Sequence, residues 1–197
     1  MDLSRCENCT NPKYKLGLCK DCYSNLDFDT PKIKLDGITD INICLNYNRF
    51  LREIIKRYKF NDETHFYKTF AEIIIEEIFR EKLSTKIDFL TYIPMTRAAY
   101  LKRGYNQLKL IAEEIENMTG IEVREVLRKK KHTKDQIGLS FVERKLNLRD
   151  AFESEKLEGE KVLLIDDVLT TGATVEEAAK ALKRAGAEEV YVVVLAH

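Results

Sequence analysis

The sequence predicts an α/β fold built on a parallel sheet, and three observations carry that prediction. Val162 to Ile165 is an unbroken apolar run, the mark of a strand buried on both faces. A helical pattern from Val175 to about Ala185 follows it, and a second apolar strand, Val190 to Leu195, comes directly after. Further upstream, Phe89 to Ile93 reads as a strand ending at Pro94, ahead of a helix from Asn106 to Met118. Buried strands separated by helices are joined most simply by crossovers in one parallel sheet.

The remaining elements fit around that core. Ile38, Ile41, Ile43 and Leu45 give an imperfect strand pattern, and apolar residues from Phe50 to Phe60 recur at helical spacing. Phe66, Phe70, Ile73, Ile74 and Ile78 continue that period on a second helix, with Glu77 as the polar exception on its apolar face. Ile121 to Leu127 alternates like a strand. Thr30-Pro31 is an extended boundary, so residues 1–30 form a cysteine-rich unit and 31–197 the main domain. Within the main domain, 31–85 is a strand with a helical subregion, and 86–197 holds the sheet core.

Composition narrows the function. With 33 basic and 33 acidic side chains in 197 residues, bulk charge offers no case for nonspecific nucleic-acid binding, so any basic surface is local. Ala71 to Phe79, among the most apolar segments, is short and broken by glutamates, and Met1 to Arg5 lacks a signal-peptide core. These features lead to the expectation of a cytoplasmic protein with no membrane insertion.

Four of the five cysteines lie in the first 22 residues, as Cys6-x-x-Cys9 and Cys19-x-x-Cys22. Each pair can present two thiolates from a tight turn, and two such turns complete a tetrahedral zinc site. Some thirty residues cannot build a core, so metal would supply their folding free energy. A redox dithiol is the competing reading. Four protein ligands would close the site, which makes it structural. Cys44 reads as a core residue, and His65, His132 and His197 show no ligand spacing.

The strongest signal runs from Val162 to Thr174, VLLIDDVLTTGAT. A buried strand delivers Asp166 and Asp167 to its C-terminal end, where open α/β sheets bind ligands. Thr170, Thr171, Gly172, Ala173 and Thr174 then lead into a helix whose first amides and hydroxyls can cup a phosphate. The two carboxylates would repel a phosphate but suit a neighbouring sugar diol or a hydrated magnesium ion. Together these groups describe the needs of a ribose 5-phosphate. No Gly-Lys-Ser/Thr follows, so the loop is not a Walker loop. An ordinary strand-to-helix crossover is the alternative, with Thr174 and Glu177 as a capping box. It leaves the acid pair and Thr170-Thr171-Gly172 unexplained.

The loop resembles the phosphoribosyl-pyrophosphate (PRPP) signature of type I phosphoribosyltransferases, and the whole chain resembles the ComF family of competence-associated proteins. That resemblance spans the cysteine pairs, Tyr58-Lys59-Phe60, Pro94, Arg103-Gly104-Tyr105-Asn106-Gln107, Gln136, Leu139, Arg144, Asn147 and Phe152. It implies the parallel-sheet type I phosphoribosyltransferase fold with a small N-terminal zinc ribbon. It also implies PRPP as ligand, with magnesium alongside. Met95-Thr96-Arg97-Ala98 would be the pyrophosphate loop, and Thr96, Arg97 and Arg103 its ligands, with Lys102 close by. Gln136 and Arg144 would belong to a flexible loop that folds over the ligand. Fixed donors there would favour the departing pyrophosphate, and Asp166 and Asp167 would be the catalytic pair steadying positive charge at the sugar C1.

The run Arg128-Lys129-Lys130-Lys131-His132-Thr133-Lys134 allows a solvated loop, a lid, or a nucleic-acid contact. Three functions therefore stand side by side. The leading one is an enzyme transferring ribose 5-phosphate from PRPP with release of pyrophosphate, linked to DNA uptake. A non-catalytic protein binding single-stranded DNA, with PRPP as a regulatory ligand, is the second, and the resemblance adds competence-machinery proteins as partners. Nucleobase salvage is the third.

Overall fold

The computed structural model describes residues 4–130 and 150–197. Its centre is a four-stranded sheet in which every neighbouring pair is parallel. The strands are β1 (Asp40–Leu45), β2 (Phe89–Tyr92), β5 (Lys161–Val168) and β6 (Glu189–Ala196), in the order β1-β6-β5-β2. The antiparallel pair β3 (Leu127–Lys129) and β4 (Phe152–Ser154) lies outside that sheet. The two apolar runs become the central strands. Val162 to Ile165 and Val190 to Ala196 are buried along their whole length, so both faces of the sheet are covered.

Six α-helices are present among the described residues: α1 (Lys20–Tyr23), α2 (Arg49–Phe60), α3 (Phe66–Arg80), α4 (Arg97–Arg103), α5 (Gln107–Thr119) and α6 (Ala173–Ala185). Helices α3 and α5 pack on each other and on the sheet, while α6 crosses from β5 to β6 and packs against both and against β4. Asn48, Thr96 and Asn106 cap α2, α4 and α5 with their side-chain oxygens, which satisfies first-turn amides of each helix. Glu77 is 4% exposed and holds Arg80 at 2.6 Å, so the polar exception on the apolar face is a paired one. No helix among the described residues is long and apolar enough to cross a membrane.

Three local expectations change. The segment 121–127 is extended but contributes only one isolated bridge, Val123 to Leu90, and the regular strand β3 begins at Leu127. The pyrophosphate loop is shorter than its four residues suggest, because Thr96 already caps α4 and Arg97 opens it. Thr174 and Glu177 do not form a capping box. Helix α6 starts at Ala173 after Gly172, which puts Thr174 inside the first turn, and Glu177 binds the Asp150 amide and Lys180 instead. The hydroxyl of Thr174 thus has no capping duty.

Residues of the cysteine-rich segment join the same buried cluster as the sheet core. Gly17, at φ 70°, sits where an added Cβ would lie 2.6 Å from Thr69 Oγ1 on α3. Only a residue without a side chain allows that approach. His65 Nε2 meets the Glu7 carbonyl at 3.0 Å, and Lys15 pairs with Glu76 at 2.9 Å.

Candidate functional site

Strand β5 runs out of the core at Asp166 and Asp167, and successive residues of a strand point to opposite sides. The Asp167 amide donates to Asp166 Oδ1 at 2.8 Å, which ties the two together. Asp167 Oδ2 receives Lys59 Nζ from the end of α2 at 2.6 Å and Gln107 Nε2 from the start of α5 at 3.2 Å. Gln107 Oε1 in turn accepts from Arg103.

Electrostatics separates the two acids. Asp166 is 9% exposed, and burial, reinforced by the neighbouring Asp167 charge, pushes its carboxyl up to about 7. Burial also acts on Asp167, but the Lys59 ammonium, the Gln107 amide and the Val168 N–H outweigh it and hold that carboxyl below its ordinary range. At neutral pH Asp167 is the firm anion and Asp166 shares a proton with solvent. Such a divided pair in a cleft is a common feature of ligand-binding and catalytic sites.

The cleft has a volume of about 390 Å³. Asp166, Asp167, Thr170 and Thr174 line one side, and Pro94, Met95, Thr96 and Arg103 line the other, with Lys59, Gln107 and Lys129 between them. Thr171, Gly172 and Ala173 complete a smaller cup with Asp166, Thr170 and Thr174. Gly172, at φ 77°, turns the chain from loop to helix, and α6 then begins with no side-chain cap from that residue, its Ala173 amide meeting Thr171 Oγ1 at 3.4 Å. An added Cβ at Gly172 would lie 2.8 Å from Leu35 Cδ1, so a side chain there must displace Leu35 as well as adopt a left-handed backbone.

The structure brings together most of the residues singled out in the sequence, across a separation of more than seventy positions. Arg97 is the exception: it opens α4, is exposed, and does not line the cleft. Lys102 is exposed and lines an adjoining cavity of about 400 Å³ with Lys59, Phe60, Asp62 and Arg103. Gln136 and Arg144 lie outside the described residues. Lys59 and Gln107 had no assigned role from sequence, and Lys129 only the shared reading of its basic run as solvated loop, lid or nucleic-acid contact. The first two stood within motifs of the resemblance, and only the third dimension shows that they converge on the acids. Lys129 breaks the basic run apart: its side chain reaches into the cleft, whereas Lys130 pairs with Glu153 at 3.4 Å.

The cysteines form a separate centre. The sulfurs of Cys6, Cys9, Cys19 and Cys22 all lie within 4.8 Å of one another, and none is in a disulfide. Four thiols so gathered can hold a metal such as zinc. Asn8 Nδ2 donates to Cys22 Sγ at 3.1 Å, and Asn8 Oδ1 accepts from Arg57 on α2. Outer hydrogen bonds of this kind orient metal-binding sulfurs.

A family model described as "Phosphoribosyl transferase domain" matches residues 70–197, which takes in the cleft, its acid pair and the hydroxyl loop. The chain belongs to the phosphoribosyl transferase domain family. It is also 28% identical to Competence protein F of Haemophilus influenzae over 95% of this chain and 87% of that one. DNA utilization protein YhgH of Salmonella typhimurium is 28% identical over 96% of this chain and 82% of its own length. Competence protein ComFC of Streptococcus pneumoniae is 31% identical over 73% of this chain and 62% of that protein. The resemblance to competence proteins therefore extends well beyond the loop, and the α/β parallel-sheet architecture agrees with the family assignment.

Proposed function

We propose that this protein binds PRPP and transfers its ribose 5-phosphate to an acceptor, in a setting of DNA uptake or DNA handling. The observation that carries the reading is the acid pair at the end of β5, Asp167 held by Lys59 at 2.6 Å and tied to Asp166, beside the helix start at Gly172. Asp167, firmly ionised, accepts a ribose hydroxyl, and Asp166 takes the second. Thr170, Thr171, Gly172, Ala173 and Thr174 seat the 5-phosphate through hydroxyls and first-turn amides. On the far side Thr96 and Arg103 receive the pyrophosphate at the start and end of α4. The acceptor's lone pair forms a bond to C1 as the C1–oxygen bond breaks and pyrophosphate leaves with that electron pair. The carboxylates steady the positive charge at C1 between those events. Magnesium, when bound with the ligand, offsets pyrophosphate charge, and Asp166 and Asp167 are the groups on this chain suited to hold it. Zinc on the four cysteines is the structural metal of this reading.

Calorimetric titration with PRPP and magnesium, against a panel of nucleobases, tests it. PRPP should bind tightly and bases weakly without it. Heat for a base and none for PRPP would overturn the reading.

The relatives' names favour a second reading, in which single-stranded DNA is bound and PRPP regulates. Arg49, Arg52 and Lys56 form an exposed basic face along α2, with Phe60 exposed at its end. Salt-dependent DNA binding lost on charge reversal at these positions, with no pyrophosphate released in the presence of any acceptor, would favour it.

A further inference from the structure

Lys59 stands apart from the other cations of this protein. Its pair with Asp167 leaves the two side chains 19% and 14% exposed, and no other ion pair among the described residues encloses both partners so fully. Enclosing two charges has a desolvation cost that their attraction need not recover, so stability is a poor explanation for the pair.

The chain under Lys59 is held on both sides. Tyr58 donates its hydroxyl to the Gln107 carbonyl at 2.7 Å, and its own carbonyl accepts from the Tyr105 hydroxyl. Phe60 lies under the Arg103 guanidinium, 5.3 Å from the ring centre. Helix α2 therefore ends against the junction of α4 and α5, on the side of the cleft that faces Thr96 and Arg103. The ammonium nevertheless reaches across to Asp167. Lys59 alone lines both the cleft and the adjoining cavity while touching the acid pair. Arg103 lines the cleft too but touches Gln107 and Phe60 rather than the acid pair, and Arg97 is exposed outside the cleft.

Resting on the PRPP reading, we propose that Lys59 is a bridging cation, which holds Asp167 aimed at the sugar while donating a further hydrogen bond to the pyrophosphate beside it. An ammonium carries three donors on a flexible stem, so one contact does not exclude the other. The consequence is selective. A ligand carrying sugar and pyrophosphate together draws on both contacts of Lys59, whereas ribose 5-phosphate draws on one.

The test compares wild-type protein, Lys59→Met and Lys59→Arg in titrations with PRPP plus magnesium and with ribose 5-phosphate. Lys59→Met should weaken PRPP by about 10- to 100-fold, the range of a hydrogen bond to a charged group, and ribose 5-phosphate much less. Lys59→Arg should recover most of the loss. Asp167 is faced by Lys59 from α2, Gln107 from α5 and Asp166 on its own strand, with Lys129 from β3 nearer Asp166, so Lys59 is its one direct cationic partner. Circular dichroism checks folding, and Lys59→Gln replaces Lys59→Met if the latter does not fold. Equal losses for both ligands, or unchanged PRPP affinity, overturns the proposal. Wild-type protein that ignores PRPP is a different failure, that of the proposed function itself.

Discussion

Replacing Asp166 with asparagine should stabilise the fold at neutral and alkaline pH while removing PRPP binding. Asp166 lies at the end of a buried strand, and burial with the adjacent Asp167 charge raises its carboxyl from 3.8 to about 7. In the unfolded chain the group titrates near 3.8, so as pH rises the unfolded state loses its proton first. The folded state is then progressively disfavoured until the folded carboxyl also ionises. At 1.36 kcal/mol per pH unit the interval amounts to about 4 kcal/mol, complete above about pH 7 and absent below about pH 4. Because Asp167 shares that charge repulsion, we expect roughly 2–4 kcal/mol to be relieved by removing the charge. Asparagine keeps an oxygen to accept from the Asp167 amide at 2.8 Å, so the turn is preserved. For a chain of this size the relief corresponds to a melting temperature higher by roughly 5–15 °C at pH 8. Calorimetric melting of both proteins from pH 4.5 to 8.5 measures it, and titration with PRPP shows the accompanying loss of binding. Melting curves that stay parallel across that range would refute the argument, because the difference must grow with pH if a buried carboxyl is its source.

Metal analysis should find about one zinc per chain, and a chelator should release it with unfolding of the cysteine-rich segment that ends at Thr30-Pro31. Hydrogen exchange should then rise in α2 as well, since Asn8 links Cys22 to Arg57. Fast exchange confined to the cysteine segment would show that the link carries no stability. A thiol reagent should find four reactive cysteines in the chelated protein and a fifth, the fully buried Cys44, only after global unfolding. Gly172→Ala should weaken PRPP binding and cost stability, since the residue sits at φ 77° with Leu35 Cδ1 2.8 Å from the added carbon. Gly104→Ala is its control, with φ 83° but nothing within 4 Å, and should cost only the backbone strain of about 1–2 kcal/mol. Equal melting shifts for the two variants would remove Leu35 from the account.

Local chemistry determined much of this protein in advance. Short unbroken apolar runs separated by a helical pattern fit strands covered on both sides, so Val162 to Ile165 and Val190 to Leu195 announced the parallel sheet. The loop from Asp166 to Thr174 is contiguous, and a contiguous motif carries its own geometry, as do two Cys-x-x-Cys turns. Tertiary structure decided what depends on distance. Lys59 and Asp167 meet at 2.6 Å because α2 ends against the α4–α5 junction, and no periodicity in either segment encodes that meeting. Lys129 left the solvated run for the cleft because the β3–β4 pairing turns it inward, and Thr174 lost its capping role because the helix starts two residues earlier, after Gly172. The division of the acid pair has the same origin. Two adjacent aspartates are chemically identical in sequence; burial acts on both, and only a distant lysine and Gln107 against one of them make them different.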